Sequence, residues 1–153
     1  MIWLGIDPGA KGGWAIIMDD AGEITTTAHS WDDRLFVLSM GGLLDFKDNH
    51  RIVAAVEKVG AMPHQGVTSM FNFGKNAGFI EGVLTALGIP YQLVPPATWK
   101  REFSLIGKDK RASIEVCKRL FPDVDLKRTD RCRTESDGMA ESLLIAEWGR
   151  RHL

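Results

Sequence analysis

Two short apolar runs, MIWLGID at 1–7 and RIVAAVE at 51–57, each stop at an acid. Runs of this length and continuity read as buried strands, so the chain needs a sheet with apolar cover. Immediately after the first run, Pro8-Gly9 forces a turn, because proline removes a donor and glycine admits positive φ. Residues 13–18 (GWAIIM) read as a second strand, and the threonine-rich residues 23–29 (EITTTAH) as a third. Between them, Asp19-Asp20-Ala21-Gly22 reads as a hairpin loop with a terminal glycine.

The rest of the chain alternates helices with strands. Residues 32–48 are weakly helical, with Leu35, Leu38, Leu43 and Phe46 on the apolar face and Gly41-Gly42 interrupting it. Residues 60–68 have the Gly, Pro and Gln of a loop. Ser69 is the expected N-cap of a helix that runs to Leu87 and is closed by Gly88. Residues 90–94 (PYQLV) read as a fifth strand. Lys110–Leu120 is an amphipathic helix stopped by Phe121-Pro122, and 137–151 form a last helix capped by Ser136 or Asp137. The order predicts an antiparallel meander followed by parallel strands. The expected fold class is therefore α/β, a mixed five-stranded sheet flanked by helices.

Length and composition narrow the class. With 153 residues, 44% hydrophobic and 25% charged, the chain reads as one domain, 1–153, with one core. No apolar run approaches the roughly 20 residues that span a bilayer, so no membrane is expected. The N-terminus has no signal-peptide pattern. Cys117 and Cys132 read as free thiols, which fits a reducing cytoplasm. The net charge of −1 excludes a globally basic protein, but charge is unevenly placed. Residues 1–57 sum to −5, whereas residues 98–133 carry eleven Lys/Arg against six acids. The basic tract reads either as a solvated helix or as a phosphate-contacting surface beside an acidic site.

That acidic site is the chemical signal. Asp7 and Glu57 end buried strands, so the sheet fixes their positions. Asp137 and Glu141 open the last helix four residues apart, on one face. Such a cluster repels itself unless cations neutralise it. Magnesium suits it, being a hard ion that takes oxygen ligands and keeps exchangeable waters. Two such ions about 4 Å apart can activate a water and stabilise the leaving oxygen at phosphorus.

The strings GIDPG at 5–9, AVEKVGAMPHQGVTSMFNFG at 55–74, IPYQLVPPATWK at 89–100 and DGMAESLLIAEW at 137–148 together resemble RuvC, the Holliday junction resolvase. They look most like its phage-encoded relatives, and they cover nearly the whole chain in the right order. The resemblance implies an RNase H-like fold, a homodimer, and magnesium or manganese, with two ions per active site. It also implies paired nicking of four-way DNA junctions in a bacterial or phage-infected cytoplasm. Asp7 matches the family's first-strand acid and Glu57 the acid opening its E-x-V segment. Asp137 and Glu141 match the acidic pair on the last helix, which in bacterial RuvC is two aspartates spaced by three. Asp137 is expected to be the more direct ligand. Lys100 falls where the family has an active-site lysine, and Lys110 near a second, with Lys108 and Arg111 as alternatives. The expected DNA contacts are Lys58, His64, Lys75, Lys100, Arg101, Lys108, Lys110 and Arg111.

One departure is evident. Bacterial RuvC has a junction-wedging aromatic directly after E-x-V, and here that position is Gly60. Met62, His64, Phe71 and Phe73 are the nearby candidates, although Phe71 and Phe73 read first as core and His64 as a solvated loop residue. The tryptophans read mostly as core, with Trp99 positioned to support Lys100. Other classes fit less well. An actin-like ATPase needs two lobes. A non-catalytic branched-DNA-binding protein has no use for clustered acids. A broader debranching nuclease acting on flaps and Y-junctions shares every motif, and only substrate range separates it from a resolvase.

Overall fold

The computed structural model describes residues 1–60 and 66–153. Strands β1 (Ile2–Asp7), β2 (Gly13–Asp20), β3 (Glu23–Ser30), β4 (Ile52–Glu57) and β5 (Tyr91–Val94) form one sheet in the order β3-β2-β1-β4-β5. The first three pair antiparallel, while β1–β4 and β4–β5 pair parallel. This is the mixed sheet expected from the sequence. The β2–β3 hairpin closes through Ala21 and Gly22, both at positive φ, and the Asp19 carboxylate accepts a hydrogen bond from the Gly22 amide at 2.8 Å.

Helices α1 (Asp33–Leu43) and α2 (Val67–Ala86) cover one face. Helices α3 (Pro96–Glu102), α4 (Lys110–Leu120) and α5 (Asp137–His152) cover the other. Strand alternation assigns every side chain of β1 and β4 to one cover or the other. Ile2, Leu4 and Ile6, with Ile52, Ala54 and Val56, pack under α1 and α2. Trp3, Val53 and Ala55 pack under α5. Gly5 lies on that second face, where a Cβ would come within 2.0 Å of the Ser142 carbonyl oxygen and 2.2 Å of the Ala146 nitrogen. The absent side chain lets α5 rest directly on β1. Helix α5 is in turn buried almost all round from Gly138 to Gly149, between the sheet and α3 and α4.

Three expectations need correction. The buried stripe of α1 is Phe36, Met40 and Leu43, whereas Leu35, Leu38 and Phe46 are exposed. Phe36 joins an aromatic cluster with Trp14, Trp31 and Phe79, and that packing decides the helix's rotation. Helix α2 starts at Val67 behind Gly66, with no side-chain cap, so Ser69 lies inside it. Helix α3 was not foreseen: Pro96 serves as its first residue, a position where a missing N–H costs nothing. By contrast, α4 has the expected bounds, and Ser136 caps α5 by accepting from the Met139 amide. Both cysteines are free, and among the described residues no helix is long and apolar enough to cross a membrane.

Candidate active site

Asp7 and Glu57 continue the alternation that places Trp3, Val53 and Ala55 under α5, so both carboxylates emerge on that face from adjacent parallel strands. The turn after Asp7 folds back on it. The Asp7 carboxylate accepts from the Gly9 amide at 2.9 Å, and a Cβ on Gly12 would come within 2.2 Å of the Asp7 carbonyl oxygen. The start of α5 seats against the same turn, since a Cβ on Gly138 would lie 2.0 Å from the Lys11 carbonyl oxygen. These close approaches bring Asp137 to Asp7. One turn along the helix, Glu141 reaches the same end of the sheet.

The unforeseen helix α3 supplies the other side. Trp99 is fully buried, and its indole N–H donates to the Glu57 carboxylate at 2.8 Å. Lys100 lies over the Trp99 ring, 5.0 Å from its centroid, with its ammonium 3.7 Å from the Glu141 carboxylate. From α4, the Lys110 ammonium sits 3.0 Å from the Asp137 carboxylate. Helix α3 is pinned to α5 through Arg151, which bonds both Glu102 at 2.9 Å and the buried Glu147 at 2.8 Å. Sequence reading missed this brace; the clue was acids and arginines three and four residues apart in EWGRR.

Electrostatics mark the carboxylates as a coupled set. Burial, and then the charge of Asp7, push Glu57 up to about 7, against the opposing Trp99 hydrogen bond and Lys100 charge. Burial also raises Asp7, with Asp137 adding to it, while the Gly9 amide and both lysines oppose. Glu141 is raised by burial too, with Lys100 opposing. Asp137 also feels burial, but its hydrogen bond and charge pairing with Lys110 hold it below the usual carboxylate range.

The donor set is all oxygen, which fits a hard divalent cation. Among the described residues, however, no three acidic, histidine or cysteine side chains are already drawn tightly enough to grip one ion. Instead each carboxylate is engaged by a protein donor: Asp7 by Gly9, Glu57 by Trp99, Asp137 by Lys110 and Glu141 by Lys100. The lysine ammoniums stand where cationic charge is needed, so the cluster is arranged to receive positive charge.

The structure sorts the expected DNA contacts. Lys100, Lys108 and Lys110 line a cavity of about 260 Å³ with Glu141, next to the carboxylates. Arg111 turns away into a separate groove of about 1020 Å³, with Lys118, Lys127 and Arg133. Lys58, Lys75 and Arg101 are exposed. Met62 and His64 lie outside the described residues. Phe71 is 70% exposed rather than core, and Phe73 is half-buried.

No family model matches the sequence, and no curated protein matches it closely enough to count as a relative. Solved structures do match. RuvC from Thermus thermophilus superimposes with a TM-score of 0.57 at 17% identity, over 99% of this chain and 96% of that one. The same protein in complex with a Holliday junction substrate gives 0.59 at 15% identity, over 99% and 97% of the two chains. The fowlpox virus Holliday junction resolvase gives 0.55 at 19% identity over the whole of both chains. The yeast mitochondrial Holliday junction resolvase gives 0.55 at 14% identity, over 94% of this chain and 75% of that one. The chain has the RNase H-like fold of these resolvases.

Proposed function

We propose that this chain is a structure-specific endonuclease of the RuvC type, closest in kind to the phage-encoded enzymes, that resolves four-way DNA junctions by paired nicks. The observation that carries the reading is the convergence of Asp7, Glu57, Asp137 and Glu141 at one end of one sheet face, beneath Lys100 and Lys110. That the resolvases share this fold along nearly its full length supports it.

Magnesium or manganese held by these carboxylates, two ions per site, would supply an activated water and neutralise charge at the scissile phosphate. The chain's own residues do the rest. Gly9 and Trp99 fix the rotamers of Asp7 and Glu57. Lys110, with 76% of its side chain exposed, is free to exchange Asp137 for a phosphate oxygen. Lys100 is held on the Trp99 ring and stabilises charge that develops nearby. The groove between α4 and residues 127–135, with Arg111, Lys118, Lys127 and Arg133, receives phosphate backbone leading away from the cut.

We assign a homodimer to the working enzyme, because a two-fold protein matches the two nicks of a four-way junction. The stripe Phe73, Ala77, Ile80 and Leu84 recurs at helical spacing along α2 and suits either an interface or the core, but it does not serve as the interface. Ala77, Ile80 and Leu84 are buried in the chain's own core. The opposite side of α2 is better suited. Val67 is 84% exposed there, Phe71 is also bare, and Gly74, Gly78 and Gly82 leave room for close approach.

The test is cleavage of a synthetic four-way junction in magnesium. Symmetric nicks across the branch, with flaps and Y-junctions cut far more slowly, are expected. Equal cutting of all three would make the chain a general debranching nuclease. Binding without nicking in either metal would make it a non-catalytic branched-DNA-binding protein.

A further inference from the structure

A second cavity, of about 440 Å³, is walled in part by the turn that follows Asp7 but has none of the carboxylates' charge. Its apolar walls are Pro8, from the turn directly after Asp7, Trp31, between β3 and α1, and Phe73 on α2. Ser69, Asn72 and Asn76 add one hydroxyl and two amides. No acidic or basic side chain lines it, in contrast to the cavity lined by Lys100, Lys108 and Lys110. A phosphate finds no counter-charge here, whereas a flat, neutral group with a polar edge finds both stacking surface and hydrogen-bonding partners.

The walls are set before any ligand arrives. The Trp31 indole N–H donates to the Asp33 carboxylate at 2.7 Å, and its ring packs 5.2 Å from that of Phe36. The Asn76 amide nitrogen donates to the Pro8 carbonyl at 2.7 Å. This bond ties α2 to the catalytic turn and leaves the Asn76 side-chain oxygen as an acceptor. Pro8 directly follows Asp7, so this wall of the cavity is one residue, about 3.8 Å of chain, from the carboxylate and within a nucleotide's reach of a phosphate held there.

We propose that the cavity receives one unstacked nucleobase of the cleaved strand, next to the scissile phosphate, and so sets base preference at the cut. The proposal rests on the reading of the chain as a junction nuclease. Bases at a branch point have already lost part of their pairing and stacking, so turning one out costs less than in a duplex. Trp31 and Phe73 offer that base a stacking face, and Asn72, Asn76 and Ser69 read its edge.

The experiment uses four-way junctions that differ only in the base pairs flanking the crossover. Wild-type protein is expected to nick the best and worst sequences at rates differing by roughly tenfold or more. Trp31→Ala and Asn72→Ala are expected to narrow that spread while still nicking the worst sequence. Asn72 is exposed on α2, so its variant keeps the test sound if loss of Trp31 harms folding. In the cleavage-blocked Asp7→Asn protein, 2-aminopurine at one flanking position is expected to change fluorescence on binding, and to stop doing so when Trp31 is also replaced. Equal wild-type rates on all sequences, or a spread and fluorescence untouched by both variants, would overturn the cavity's role while leaving the nuclease intact. A wild-type protein that neither binds nor cuts any junction would instead refute the functional reading, and this proposal with it.

Discussion

Glu57 is where the fold and the chemistry of this chain meet most directly. Its carboxylate lies at the end of a buried strand, beside Asp7, with Trp99 donating to it. Replacing Asp7, Glu57 or Asp137 by its amide keeps shape and removes charge. Each is expected to lower the nicking rate by well over about 100-fold while junction binding persists, since an outer partner of a metal ligand alone is worth about 10–100-fold. Trp99→Phe, which removes only that partner, should fall in the smaller range. Glu141→Gln should cost less than Asp137→Asn, because Asp137 is the carboxylate held ionised; single-turnover rates decide the ranking. The raised Glu57 also makes a stability prediction. In the folded chain it holds its proton up to about 7, against an ordinary value of 4.5. Without metal, stability should therefore fall as pH rises between those values, by up to about 3 kcal/mol. Asp7 and Glu141 act in the same direction, whereas Asp137 acts oppositely, below 3.8. Thermal unfolding in chelator across this range should show the decline, Glu57→Gln should flatten it, and magnesium should reverse it at the upper end.

Among the elements, α5 depends on two glycines, Gly5 and Gly138, that the sequence showed only as parts of motifs. A Cβ at Gly5 would strike the α5 backbone. Gly5→Ala is accordingly expected to cost about 3 kcal/mol or more in urea unfolding, because backbone atoms cannot turn aside as a side-chain end can. Gly42→Ala is the contrasting case. It lies within α1, with nothing within 4 Å of the added methyl, and should stabilise by about 0.5–1 kcal/mol. A destabilised Gly42→Ala would show that the α1 helix is held by contacts other than those described. Elements were legible where local physics decides them. Strand runs, the Ala21-Gly22 turn, the amphipathic α4 stopped at Phe121-Pro122 and the Ser136-capped α5 all carry their signals within a few residues. The rotation of α1 was not legible, because Leu35 and Leu38 have the same helical spacing as the true stripe, and only Trp14, Trp31 and Phe79 select Phe36. Nor was α3, whose seven residues are held by a buried Trp99 and by ion pairs to a helix almost fifty residues away.

For the whole molecule, four carboxylates meet at one end of the sheet, and the lysines of α3 and α4 stand beside them, with Arg111, Lys118, Lys127 and Arg133 lining a separate groove. Lys127→Ala and Arg133→Ala should each reduce the salt slope of junction binding by about 1, with nicking at saturating enzyme little changed. An unchanged slope would remove the groove from the DNA path. Sedimentation at micromolar concentration without DNA is expected to show about twice the 17.0 kDa of one chain, and Phe71→Asp should shift it toward the monomer. A wild-type monomer would leave assembly on the junction as the route to paired nicks. The carboxylates of the candidate site could be named from the sequence because strand ends and helix starts are local. Their partners, Trp99 for Glu57 and Lys100 for Glu141, came from α3 and needed the fold.

The alternation along β1 and β4 has a consequence for how such a chain can change. Asp7 faces α5 because it is an even number of steps from Trp3 and Gly5, and Glu57 because it keeps step with Val53 and Ala55. Substitutions, longer turns and altered helices all leave that count untouched. A single inserted or deleted residue within either strand does not: it would roll every following side chain through half a turn, turning the acid toward α1 and α2 and an apolar residue toward α5. What the architecture protects is therefore the parity of two strands. Drift in sequence can run far while both acids stay in phase, whereas one slipped residue ahead of Gly5 would turn the acid away and also set a side chain where Gly5 lets α5 rest.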